Sequence, residues 1–267
     1  VHSIRFATPA RPANFVRLAA LCALAAVGSL NAGCRMVANQ QNTDGVKYFQ
    51  QGQLQPAVQR FQQALQSDPK NPDAYYNLAA VYHRQGSLSN DSNMLRQAEE
   101  LYNRSLDYNP NHVEAHRGLA VLLVETKRPD AAFRLMNNWA QQNPRSSDAR
   151  VELARLYEEY GDTNSAEGIL QVALQTDVNN PRALAALGRI KETKGETAQA
   201  IANYQRSLQI NNQQPQLSER IASLTRQSPT GVYTPAPGAL PNLPAPPATG
   251  FPGGSQIATP PRTLPRY

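Results

Sequence analysis

The sequence predicts an all-α solenoid, built from about five stacked helical hairpins and closed by a capping helix. Three observations carry this reading. Small and apolar residues recur with a period of 34 between residues 38 and 214. Within each period the apolar residues fall at helical spacing, punctuated by Gly and Pro. Proline is distributed very unevenly, with 11 of the 21 prolines after Ser228, so a packing body is followed by a segment that cannot pack.

The chain opens with a stretch unlike the rest. Arg5, Arg11 and Arg17 precede any acidic residue, and Leu18 to Leu30 is an apolar run of 13 residues. That is short of the ~20 residues a membrane-crossing helix needs. It matches the apolar segment of a secretory leader, so residues 1–33 read as a signal peptide. The run ends in Leu30-Asn31-Ala32-Gly33-Cys34, which resembles the lipobox of bacterial lipoproteins, although Asn31 stands where that family usually carries Leu. The resemblance implies that Cys34 is acylated and anchors the chain to a membrane, with residues 34–37 as a short linker. Arg35, in place of the Asp that favours inner-membrane retention in the enterobacterial scheme, points toward an outer-membrane lipoprotein facing the periplasm. The alternative is cleavage after Gly28 or Ala32, which yields a soluble periplasmic protein.

The first unit, residues 38–71, carries Gly45, Tyr48, Gly52, Ala57, Phe61, Ala64, Leu65 and Pro69 at positions 8, 11, 15, 20, 24, 27, 28 and 32. The second, 72–112, repeats Tyr75, Leu78, Ala79, Tyr82 and Gly86. It then runs seven residues late through Ala98, Tyr102, Leu106 and Pro110, which places an insertion around 87–96, between its two helices. Units 113–146, 147–180 and 181–214 follow, the third with Lys127 where the others carry Gly. Small residues at positions 8 and 20 allow close helix approach. Gly at position 15 can end the first helix in a left-handed conformation. Asp68-Pro69, Asn109-Pro110 and Asn143-Pro144 stop the second helices.

These eight positions are those of the tetratricopeptide repeat, and the chain resembles that family throughout residues 38–214. The resemblance implies a right-handed stack of hairpins with a groove lined by the first helices, at positions 2, 5, 9 and 12. Among the residues so placed, Tyr76, His83, Arg117, Arg155, Glu158, Arg182 and Arg189 are the candidate partner-binding set, the arginines as candidate anchors. Some members clamp a terminal carboxylate with Lys and Asn at positions 5 and 9 of the first unit; Asn42 and Val46 stand there instead. A stack of hairpins needs a polar end. Residues 215–227 provide it, with Leu217, Ile221 and Leu224 turned inward at helical spacing. Residues 228–267, rich in Pro, Gly, Ala and Thr and without an acidic residue, read as a disordered tail.

Function classes narrow accordingly. The net charge is +6, yet residues 44–227 hold all 20 acidic residues and 20 of the 26 Lys and Arg. A neutral body is not the basic face that nucleic acid requires. Cys22 and Cys34 lie outside any core, so no disulfide framework or zinc spacing is available. His112 and His116 sit at i, i+4, the spacing of paired metal ligands, but no partner ligand is evident beyond Glu114 on another face; His116 takes a packing position. Trp139 fills a gap at a normally small position. Adjacent carboxylates such as Glu158 and Glu159 read as solvated. No nucleotide loop or hydrolase elbow is present. The expectation is therefore a non-enzymatic scaffold without cofactor, metal or small-molecule substrate. It would bind protein or peptide partners as an assembly or adaptor factor in the bacterial envelope. The alternative is a regulatory or targeting subunit of an envelope enzyme complex.

Overall fold

The computed structural model describes residues 33–227. The signal peptide assigned to 1–33 thus lies outside it except for its last residue, and the Pro-rich tail lies wholly outside. Among the described residues there are helices and no strands. Helix α1 covers 33–50. It is followed by α2 (Leu54–Ser67), α3 (Pro72–Ser89), α4 (Ser92–Tyr108), α5 (Val113–Glu125) and α6 (Pro129–Gln142). Then come α7 (Ser147–Glu159), α8 (Thr163–Thr176), α9 (Pro181–Thr193), α10 (Thr197–Ile210) and α11 (Pro215–Gln227). Each repeat contributes two helices, and α11 is the cap. Helix α1 already includes residues 34–37, so the linker expected there is the helix's first turn.

Local chemistry explains where the helices begin and end. Asn71 and Asn180 precede Pro72 and Pro181. Each side chain accepts the amide of the third residue on, Ala74 or Ala183, at 2.9 Å. Proline at the first helical position gives up an N–H that the helix leaves unpaired in any case. Asp68, Asn109 and Asn143 each end a second helix, just ahead of their prolines. Gly52, Gly161 and Gly195 turn between the helices with φ of 74°, 77° and 76°. Lys127 adopts the same region, φ 63°, in the repeat that has no glycine at its turn position.

The second repeat departs from expectation. Its insertion does not form a loop between helices. It extends α3 to 18 residues and α4 to 17, leaving only Asn90 and Asp91 between them. The left-handed residue is Asn90, φ 53°, rather than Gly86. Gly86 is a buried helical residue, and a Cβ there would lie 2.9 Å from the Leu95 side chain. It serves close packing, not turning.

The described residues divide into two compact units, parted after Ala115, inside α5. In the first, Ala57, Val58, Phe61, Leu78 and Val81 form a buried cluster, with Tyr48, Phe49, Tyr82 and Leu101 packed against it. In the second, Ala154, Ala166, Leu170, Leu174, Leu184, Leu187 and Ile190 do the same. Burial of each Leu or Ile side chain contributes about 1.5–3 kcal/mol. The period is visible in burial: Ala57, Ala132, Ala166 and Ala200 at position 20, and Ala98 at its counterpart seven residues late, are each 0% exposed. The cap closes the second unit, with Leu224 buried and Leu217 and Ile221 packed on Ala200, Ile201 and Tyr204.

Candidate functional site

The first helices of successive repeats in the second unit share a set of ion pairs. Its centre is Glu152 on α7, only 1% exposed. Arg117 of α5 donates through Nε to Glu152 Oε2 at 2.8 Å and through a terminal nitrogen to Oε1. Arg182 of α9 donates to the same Oε1 and to Asp148 Oδ1, the latter at 2.8 Å. Arg155, one turn along α7, has its Nε 3.4 Å from Glu152 Oε2 and pairs with Glu159 at 3.0 Å. Farther along, Arg189 forks onto both oxygens of Glu158 at 2.9 and 3.3 Å. Arg220 of the cap pairs with Glu192, which also accepts the Tyr204 hydroxyl at 3.0 Å.

Repeat geometry brings these groups together. Helices α7 and α9 pack side by side, so a residue early in one first helix meets its counterpart about one repeat later. Bidentate guanidinium–carboxylate geometry then fixes both partners. Burial alone would raise the Glu152 pKa. Hydrogen bonding and charge from Arg117, followed by the charges of Arg182 and Arg155, outweigh it and hold the carboxyl below its ordinary range.

Five of the seven groove candidates, Arg117, Arg155, Glu158, Arg182 and Arg189, lie in this set. Glu158 and Glu159, expected to be solvated, are both paired with arginines. Tyr76 and His83 are in the first unit. Tyr76 packs against the rings of His112 and Tyr102 at 5.2 and 6.1 Å. His83 Nδ1 is 3.3 Å from the Tyr102 hydroxyl. Cys34 is exposed at the start of α1.

Glu152 was not among the sequence candidates. The signal available was its place at position 6, 35 residues after Arg117 at position 5 and 30 before Arg182. A carboxylate so framed by arginines marks an inter-repeat pair.

The two histidines have separate tasks. His112 is buried, with Nε2 3.0 Å from Asp73 Oδ1 and Nδ1 accepting the Ala115 amide at 3.3 Å, which closes the start of α5. Glu114, expected on another face, has an oxygen 3.3 Å from that Nδ1. His116 stacks on Trp139 with ring centroids 4.0 Å apart and planes 10° from parallel. The tryptophan thus sits where Ala64, Ser105, Ala173 and Ser207 stand in the other repeats. Among the described residues no group of three or more His, Cys, Asp and Glu side chains is placed to hold a metal ion.

A TPR repeat model matches residues 45–86, and tetratricopeptide repeat models match 91–147, 127–190 and 181–214. The chain belongs to the tetratricopeptide repeat family. The photosystem I assembly protein Ycf3 of Rippkaea orientalis is 27% identical over 85 residues, which are 29% of this chain and 49% of that protein. The chain therefore spans about half the length of the curated relative it matches. A thermophilic TPR protein of Thermus thermophilus superposes with a TM-score of 0.54 at 22% identity, over 71% of this chain and 99% of that one. A tetratricopeptide repeat protein of Parabacteroides merdae gives 0.53 at 19% identity, over 70% of each chain. These likenesses show the fold. Family members bind protein or peptide partners, which agrees with a scaffold reading of the chain.

Proposed function

We propose that the protein is an exported, lipid-anchored scaffold that holds a polypeptide partner on the first-helix face of its second unit, as an assembly or adaptor factor of the bacterial envelope. One observation carries the binding site: a row of arginines on α5, α7, α9 and α11, each held in place by a carboxylate of its own chain. Side chains fixed before a partner arrives lose little conformational freedom on binding. The assembly role draws on the name of the Rippkaea relative. The envelope location draws on the leader and on Cys34, whose exposed place at the start of α1 leaves it open to acylation. No helix among the described residues is long and apolar enough to cross a membrane.

The face is tested with a photo-crosslinking residue at Val121, exposed on α5, in intact cells. Recovery of one polypeptide, reduced by Arg155→Ala, is the expected result. Crosslinks indifferent to the arginine overturn the assignment of the face. The anchor is tested by labelled palmitate: incorporation should vanish in Cys34→Ala, and a wild-type chain that takes up no label refutes acylation.

A further inference from the structure

The ion-paired row is balanced in number but not in depth. Its five arginine side chains keep between 32% and 52% of their surface exposed. Glu152 keeps 1%, Glu192 16%, Glu159 25% and Glu158 28%; only Asp148, at 42%, is as open as its partner. Cations therefore lie outward and anions lie beneath them. An approaching molecule meets guanidinium first, and the buried carboxylates are farther off.

Each guanidinium is a planar fork of five N–H donors. Donors on its outward edge can exchange water for a further acceptor. Lysine would not serve equally here, because a planar fork can hold one carboxylate below and accept another from above.

We propose that this face recognises an acidic, extended segment of a partner protein, its carboxylates capping Arg117, Arg155, Arg182 and Arg189 from the solvent side. The proposal rests on the scaffold reading and specifies its ligand. Neighbouring packed helices lie ~8–10 Å apart. A segment in the extended polyproline II conformation has three residues per turn and advances ~3.1 Å per residue. An acidic residue at every third position therefore faces the same side about every 9 Å and meets successive first helices in register. A basic segment meets like charge.

Fluorescence anisotropy of the full chain tests this with a labelled Ser/Gly peptide bearing Glu at every third position. The controls are its Lys counterpart, a peptide of the same composition with clustered Glu, and single-stranded DNA. The spaced acidic probe should bind best and weaken with salt. Arg189→Ala and Arg182→Ala should each weaken it about tenfold. Arg206→Ala, on α10 and outside the row, should leave it unchanged. Thermal melting separates loss of binding from loss of fold, and Arg189, half exposed, is the variant least able to unfold the chain. Binding of the Lys probe equal to that of the Glu probe, or no binding of any probe, overturns the proposal. Equal binding of the clustered peptide overturns the register. DNA binding with the same arginine dependence assigns the face to phosphate instead. If the Val121 crosslink recovers a partner while the acidic probe fails, the scaffold reading stands and only the ligand class falls.

Discussion

The two units meet the same geometric demand with different chemistry. In the first, Asn77 of α3 donates to Asn42 of α1 at 3.0 Å, across 35 residues. In the second, Arg117 of α5 donates to Glu152 of α7, also across 35 residues. Both pairs join position 5 of one repeat to position 6 of the next. The amide pair is neutral and local. The ion pair recruits Arg155 and Arg182 and becomes a network. Packing of first helix on first helix thus decides which positions meet, and the side chains there decide whether the surface is bland or charged.

Removing Glu152 should break that contrast most severely. Glu152→Ala leaves three arginines crowded without their shared anion and should cost about 2–3 kcal/mol. That is less than the ~3–5 kcal/mol of a fully buried pair, because the guanidinium groups retain water. Asn77→Ala should cost about 1 kcal/mol, the ordinary worth of a hydrogen bond. Urea unfolding followed by circular dichroism measures both, and equal losses would mean that the network adds nothing beyond a pair.

The units should agree, however, where a glycine faces an aromatic ring. A Cβ at Gly45 would lie 2.5 Å from the Phe61 ring, and one at Gly188 would lie 2.5 Å from the Tyr204 ring. Gly45→Ala and Gly188→Ala should each cost about 1–3 kcal/mol through overpacking. A neutral result at either site in thermal melting would show that the ring moves aside freely.

A smaller effect lies at one turn of the second unit. Lys127 occupies the left-handed region that Gly52 fills in the first unit. Lys127→Gly should stabilise by about 0.5–1 kcal/mol, after its greater unfolded freedom is set against the relieved strain. A lower melting temperature would contradict this.

Acid should sharpen the comparison further. The folded-state pKa of Glu152 lies below its usual 4.5, so its contribution is complete above about that pH and is lost as pH falls toward the folded value. In the first unit Asp73 is likewise lowered from 3.8, chiefly by its hydrogen bond to His112. Stability should therefore be flat with respect to these two groups above about pH 5 and decline below it. Glu152→Gln should remove part of that decline and leave the part due to Asp73. An unchanged acid limb in the variant would show that Glu152 does not titrate through folding.

Much of the architecture was legible because its causes are local and repeated. Small residues at positions 8 and 20, the Gly turns and the Pro stops each act within a few residues, and repetition multiplied the signal. The failures were where one copy departs from the others. Gly86 matched the turn position but was claimed by the insertion, because extra residues in helical register extend a helix more readily than they form a loop. Glu152 was passed over because a single carboxylate has no meaning until the arginines 35 residues before and 30 after it are brought alongside.

By itself the sequence determined the repeat length, the pairing of helices within each hairpin, the ends of most helices and the inward face of the cap. These follow from periodicity and backbone preference, which are properties of short stretches of chain. Only the tertiary structure decided that the arginines are pre-paired, that their counter-ions lie beneath them, and that His112 reaches Asp73 from 39 residues away. Charge pairing depends on distance and burial in space, and neither exists until neighbouring repeats pack.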